Sequence, residues 1–135
     1  MMAVDTSALM AIILGEPPAG WLERQLQAET GAILISAGTV AECLIVAAGR
    51  RVSAEMQLLL GKLGHIVVPV DEILAVQIGE AYARWGKGFH PAGLNFGDCF
   101  AYVLAKNHDC PLLFVGNDFS RTDVKAVLAN QIDPK

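Results

Sequence analysis

Several common chemistries are missing from this 135-residue chain. It has three cysteines, Cys43, Cys99 and Cys110, an odd number with no C-x-x-C pair. That argues against a disulfide framework or a thiolate zinc site, and reads as small core residues in a reducing compartment. No two histidines stand at zinc-ligand spacing. There is no G-x-S-x-G elbow, which argues against a serine hydrolase. Gly86-Lys87 is not a phosphate cradle: no Ser or Thr follows the lysine, and Ala81 stands where the first glycine should be. Apolar runs are interrupted before the roughly 20 residues that a membrane span needs. No basic stretch followed by an apolar one opens the chain as a signal peptide would. These absences lead us to expect a cytoplasmic protein.

Basic residues are also scarce. Ten Lys and Arg against fourteen Asp and Glu leave a net charge of -4. A module that binds nucleic acid through phosphate contacts alone is usually basic. The acidic balance does not count against an enzyme that gathers its acids around a cation, because a bound divalent ion reverses the local sign.

What is present suits a folded enzyme. The composition is 53% hydrophobic and 18% charged, the length suits one domain over residues 1–135, and no repeats or linkers break it. Short, mainly apolar strand patterns at Met2–Val4, Ile33–Ser36, Ile66–Val68 and Leu112–Val115 alternate with helical patterns: 8–14, 19–29, 39–49, 53–63, a helix capped by Asp71 that runs to Trp85, and 96–106. Residues 86–93 form a glycine-rich loop, expected to be flexible. The tail from Val124 to Ile132 can form a fifth strand or a helical turn. Strands alternating with helices specify an α/β fold of three layers, α/β/α, with a central parallel sheet of four or five strands. The apolar strands agree with burial on both faces.

The first strand runs into Asp5-Thr6-Ser7. A buried strand should end in a carboxylate only if the carboxylate has something to bind. Three more acids lie at comparable places: Glu42, Asp98 and Asp118. Each has an ordinary explanation. Asp5 can cap a helix. Thr39-Val40-Ala41-Glu42 reads as a capping box. Asp98 can follow an Asn95 cap, where negative charge suits the helix dipole. Asn117-Asp118 is turn chemistry. Together, however, all four fall beyond the carboxyl ends of strands or at helix starts on that edge, where α/β sheets bind ligands. Gly97, beside Asp98, is a poor helix former and is expected to clear space for a ligand or a neighbouring backbone. Four carboxylates in one place need a cation, and an all-oxygen set favours Mg²⁺ or Mn²⁺ over zinc. Asp123 reads either as a fifth ligand or as a solvated surface acid, with the surface reading preferred.

Val4-Asp5-Thr6-Ser7, Glu42, the segment His90 to Tyr102 and Gly116-Asn117-Asp118-Phe119 resemble the PIN-domain ribonucleases, and among them the VapC toxins of toxin–antitoxin pairs. The resemblance covers almost the whole chain and is most specific over 90–102. It implies an Mg²⁺- or Mn²⁺-dependent endoribonuclease that blocks translation and growth and is neutralised by a cognate antitoxin. It also implies a homodimer, with tRNA or rRNA as the substrate. The catalytic and metal-binding acids would be Asp5, Glu42, Asp98 and Asp118, with Thr6, Ser7 and Asn117 in support. Metal ions would lower the pKa of water and clamp the phosphoryl oxygens, so no Ser or Cys nucleophile is needed.

His90, Lys87 and Arg84 flank the glycine-rich loop and are candidates to hold substrate phosphates, with Lys106 and Arg121 as further candidates. Surface charge is as good an account of each. The apolar helices around Leu9–Leu14 and Glu42 suggest one extra face for a dimer or an antitoxin. Two rival readings are weaker. A receiver-like phosphoryl-transfer domain or other phosphohydrolase would want an acidic pair on strand 1 and a lysine after a later strand. A catalytically inactive binding module would not need all four acids intact.

Overall fold

The computed structural model describes residues 1–127. Four strands, β1 (Met2–Val4), β2 (Ile33–Ser36), β3 (Ile66–Val68) and β4 (Leu112–Leu113), form one parallel sheet in the order β3-β2-β1-β4. Six helices surround it: α1 (Thr6–Ile13), α2 (Ala19–Ala28), α3 (Ala37–Gly49), α4 (Ser53–Lys62), α5 (Glu72–Trp85) and α6 (Phe96–Asn107). Side chains alternate across a strand, and the sheet divides two apolar cores accordingly. Ala3, Leu34 and Leu112 face α5 and α6, whereas Met2, Val4, Ile33, Ile35 and Leu113 face α1 to α4. That is the expected three-layer α/β/α arrangement.

Strand order sets the site. β1 pairs with β2 on one side and β4 on the other, so the chain's direction of travel across the sheet reverses there. The crevice at such a reversal is the usual ligand position. β3 is an edge strand, and Ile66 and Val67 are exposed. Beyond β4, Ala126 makes a single parallel bridge to Leu112, a trace of the fifth strand. The rest of that expected element, from residue 128 on, lies outside the described residues.

Boundaries shift in two informative places. α1 begins at Thr6 rather than Ala8, because Asp5 caps it: Ser7 N–H donates to Asp5 Oδ2 at 3.0 Å. α3 begins at Ala37 rather than Thr39, capped by the Ser36 hydroxyl. Thr39 is then an interior helical residue, and the capping box expected of Thr39 and Glu42 does not form. The glycine-rich loop is also more organised than expected. Leu94 N–H donates to Trp85 O, Lys87 N–H to Leu94 O, and Ala92 N–H to His90 Nδ1.

Leu9 on α1 is wholly buried in the core that α1 shares with α2, α3 and α4. Leu9→Ala is expected to cost about 3 kcal/mol, from lost burial plus the cavity left behind. Urea unfolding checks this.

Candidate active site

Each acid is placed by a local rule of chain geometry. Asp5 emerges from β1 with its N–H donating to Leu113 O of the β4 strand, so the sheet itself positions its backbone. One carboxylate oxygen caps α1, while the other, Oδ1, is buried without a hydrogen-bond partner. Burial is the chief reason the Asp5 carboxyl is pushed up from 3.8 to about 6, with the charge of Glu42 adding to it.

Glu42 is free to act because α3 starts earlier than its sequence suggests. Its carboxylate reaches back across the layer, and Thr6 Oγ1 donates to Glu42 Oε1 at 2.6 Å. On its other side stands Gly97. A methyl group on Gly97 would overlap the Glu42 carboxylate, so this glycine makes room for a side chain, not for a ligand or backbone.

Asp98 and Asn95 complete a reciprocal cap at the start of α6. Asp98 N–H donates to Asn95 Oδ1 at 2.8 Å, and Asn95 N–H donates to Asp98 Oδ2 at 3.0 Å. The structural explanation of this acid is therefore correct as far as it goes. It is incomplete, because Asp98 is also pushed up from 3.8 to about 7. Burial is the largest cause, and the charges of Asp5, Asp118 and Glu42 push the same way. Asp98 is thus within electrostatic reach of the other three acids.

Asp118 lies five residues beyond β4, at the head of a short 3₁₀ turn, Phe119–Arg121. It is exposed, and its side chain caps nothing. Asn117, also exposed, accepts from Ser120 through its carbonyl. The Ser7 hydroxyl accepts from Val115 N–H at 3.0 Å and ties the start of α1 to the segment after β4. Thr6 thus orients an acid, whereas Ser7 secures backbone.

Among the described residues, no three His, Cys, Asp or Glu side chains form a ready-made metal cage. The donor set nevertheless fits a hard cation. It is all carboxylate, one buried oxygen of Asp5 lacks a partner, and mutual repulsion already raises Asp98. Asp5, Asp98 and Asp118 are the residues that could hold such an ion.

The substrate candidates have other partners. Arg84 stacks its guanidinium 4.6 Å from the centre of the Trp85 ring. His90 packs edge-on against the same ring, and its Nδ1 is engaged by the loop. Lys87 lines an apolar hollow with Tyr82, Asn95 and Phe96. Among the described residues, no hydrogen bond or ion pair joins these three to the acids. Lys106 pairs with Asp123, and Arg121 donates to Pro91 O. The reading of Asp123 as a plain surface acid misses a bond, since Tyr102 donates its hydroxyl to it. Nothing in the spacing of residues 102 and 123 announces that contact.

Comparison with known proteins agrees with this fold. The model of the PIN domain matches residues 2–125. A "Ribonuclease VapC" of Mycolicibacterium smegmatis is 41% identical over 128 residues, covering 93% of this chain and 99% of that protein. Among solved structures, Mycobacterium tuberculosis VapC20, described as a sarcin–ricin loop cleaving toxin, superposes with a TM-score of 0.77 at 18% identity. The alignment covers 94% of this chain and 98% of VapC20. A toxin–antitoxin complex from Klebsiella pneumoniae gives a TM-score of 0.70 at 16% identity, covering 94% and 97%. At these identities the two structures speak for the fold alone. The family match and the 41% identical relative go further: this chain belongs to the PIN-domain family, among the VapC ribonucleases.

Proposed function

We infer that this chain is a metal-dependent endoribonuclease, the toxin of a VapBC-type pair, and that Asp5, Glu42, Asp98 and Asp118 carry its chemistry. One observation supports the assignment above the others: Asp98, although capped and satisfied at its helix, is buried within reach of the charges of the other three acids, which add to the rise that burial causes. A purely structural cap would gain nothing from such neighbours. One or two Mg²⁺ or Mn²⁺ ions at this site would make water acidic enough to attack at neutral pH and would offset charge on the phosphoryl oxygens.

The residues divide the work. Asp5 presents its unpartnered Oδ1, Asp98 the oxygen not used in its cap, and Asp118 an exposed carboxylate, so these three hold the cation. Glu42, held by Thr6 and free of steric hindrance from Gly97, is placed to orient the attacking water and take its proton. Asn117 supports Asp118 through solvent. We assign His90 to the loop rather than to substrate and keep Lys87 and Arg84 as the substrate candidates.

Ile45 and Phe96 are large exposed apolar residues that share a hollow with Glu42. They support an apolar contact there, with an antitoxin or a second copy, and the toxin–antitoxin neighbour is consistent with the former. We place the protein in the cytoplasm, as one domain. Among the described residues, no helix is long and apolar enough to cross a membrane.

The test uses partner-free protein with structured and single-stranded RNA. Cleavage is expected with Mg²⁺ and is expected to disappear with EDTA. Undiminished cleavage in EDTA, or none with either metal, would refute the assignment. Acid should also weaken the response. Asp5 and Asp98 must be deprotonated to bind a cation, so the Mg²⁺ concentration needed for half-maximal cleavage is expected to climb as pH falls from 8 through 7 and 6.

A further inference from the structure

The four acids are not equally supported. Asp5, Glu42 and Asp98 each have a hydrogen bond on the carboxylate, whereas Asp118 is exposed on a 3₁₀ turn that caps nothing. Its position depends on what secures residues 117–123. At one end Phe119 is buried against Phe114. At the other end a polar chain crosses from α5 through α6. Trp85 Nε1–H donates to Tyr102 Oη at 2.9 Å, and Tyr102 O–H donates to Asp123 Oδ1. The second Asp123 oxygen lies 3.2 Å from Lys106 Nζ.

We propose that the Trp85–Tyr102–Asp123 chain is a positioning device that holds the Asp118 segment against the metal-binding acids. The inference rests on the metal reading above. The Tyr102 hydroxyl is the critical link. It belongs to a buried residue of α6, links Trp85 of α5 to Asp123 beyond the 3₁₀ turn, and accepts one hydrogen bond while donating another, and such linked bonds strengthen each other in a low dielectric. The Lys106 contact is half exposed and adds little by itself. Burial and the Asp123 carboxylate push the Tyr102 phenol up to about 12, so it remains a donor across the working pH range. Asp123 is thereby a positioning residue, and it acts through Asp118 without touching the cation.

Calorimetric titration of Mn²⁺ into the partner-free protein tests this. Tyr102→Phe keeps the ring and removes only the hydroxyl, and Asp123→Ala removes the acceptor in case Tyr102→Phe is poorly folded. Each is expected to weaken Mn²⁺ binding about 10-fold, the scale on which groups that orient a metal ligand act. The double variant Asp118→Asn/Tyr102→Phe should bind no more weakly than Asp118→Asn alone, because the chain acts only through Asp118. A general loss of stability would instead add to the Asp118→Asn effect. Wild-type affinity in both Tyr102→Phe and Asp123→Ala, or additive losses in the double variant, would overturn the proposal. A wild type that takes up no Mn²⁺ would overturn the metal reading itself.

Discussion

Asp98→Asn is expected to abolish RNA cleavage and, in EDTA, to make the protein more stable. The two effects share one cause. The amide oxygen of the substituted side chain could still accept the Asn95 N–H, so the α6 cap survives. What disappears is a charge buried beside Asp5, Asp118 and Glu42. The folded-state pKa of Asp98 lies above its ordinary value of 3.8, at about 7. The metal-free folded chain therefore binds this proton more tightly than the unfolded chain does. Its stability is lowest above pH 7 and rises as pH falls through 7 toward 4. At full strength a rise from 3.8 to about 7 corresponds to about 4 kcal/mol. Solvent reaches the site beside exposed Asp118, and screening leaves about 1–2 kcal/mol. For a chain of this length that is a Tm increase of about 4–8 °C at pH 8, shrinking toward pH 5. Loss of cleavage with a lower Tm would mean that Asp98 is a structural cap and nothing more.

Gly97→Ala is expected to lower cleavage about 100-fold without destabilising the fold. Alanine is the better helix former by about 1 kcal/mol, and the Glu42 side chain can swing away from the new methyl group. By swinging away it leaves the place where Thr6 Oγ1 donates to it at 2.6 Å. Displacing a proton-transfer group by about 1 Å can cost about 100-fold in rate. Asp5 and Asp98 keep their own hydrogen bonds to Ser7 N–H and Asn95 N–H, so Mn²⁺ binding should persist. Melting curves, cleavage rates and metal titration on one preparation separate these effects. Wild-type cleavage by Gly97→Ala would show that the position of Glu42 does not matter.

These two residues also show how far the sequence could be read. Strands were legible because apolar triplets such as Ile33–Ile35 leave little alternative to a buried parallel sheet. Asp5, Asp98 and Asp118 could be grouped because each follows a strand or opens a helix on one edge. Glu42 was obscured by Thr39, which mimics a capping box although Ser36 does the capping. Only the helix start decides between those roles, and local propensity does not locate it to within two residues. The purpose of Gly97 was hidden because its partner, Glu42, is distant along the chain and meets it only through the packing of α3 on α6. Asp123 is exposed, as expected, and its partner was hidden for the same reason. Its bond to Tyr102 depends on how α6 lies against the segment after β4, and no local rule encodes that. The basic residues around the loop looked like a phosphate grip, yet His90 and Arg84 are both drawn onto the Trp85 ring.

A crystal of the partner-free protein soaked in Mn²⁺ and measured for anomalous scattering addresses the shared cation most directly. The expected peak lies among the carboxylates of Asp5, Asp98 and Asp118, with oxygens about 2.1–2.2 Å away. Density that places Mn²⁺ elsewhere, or leaves this hollow without a peak at saturating metal, would contradict it.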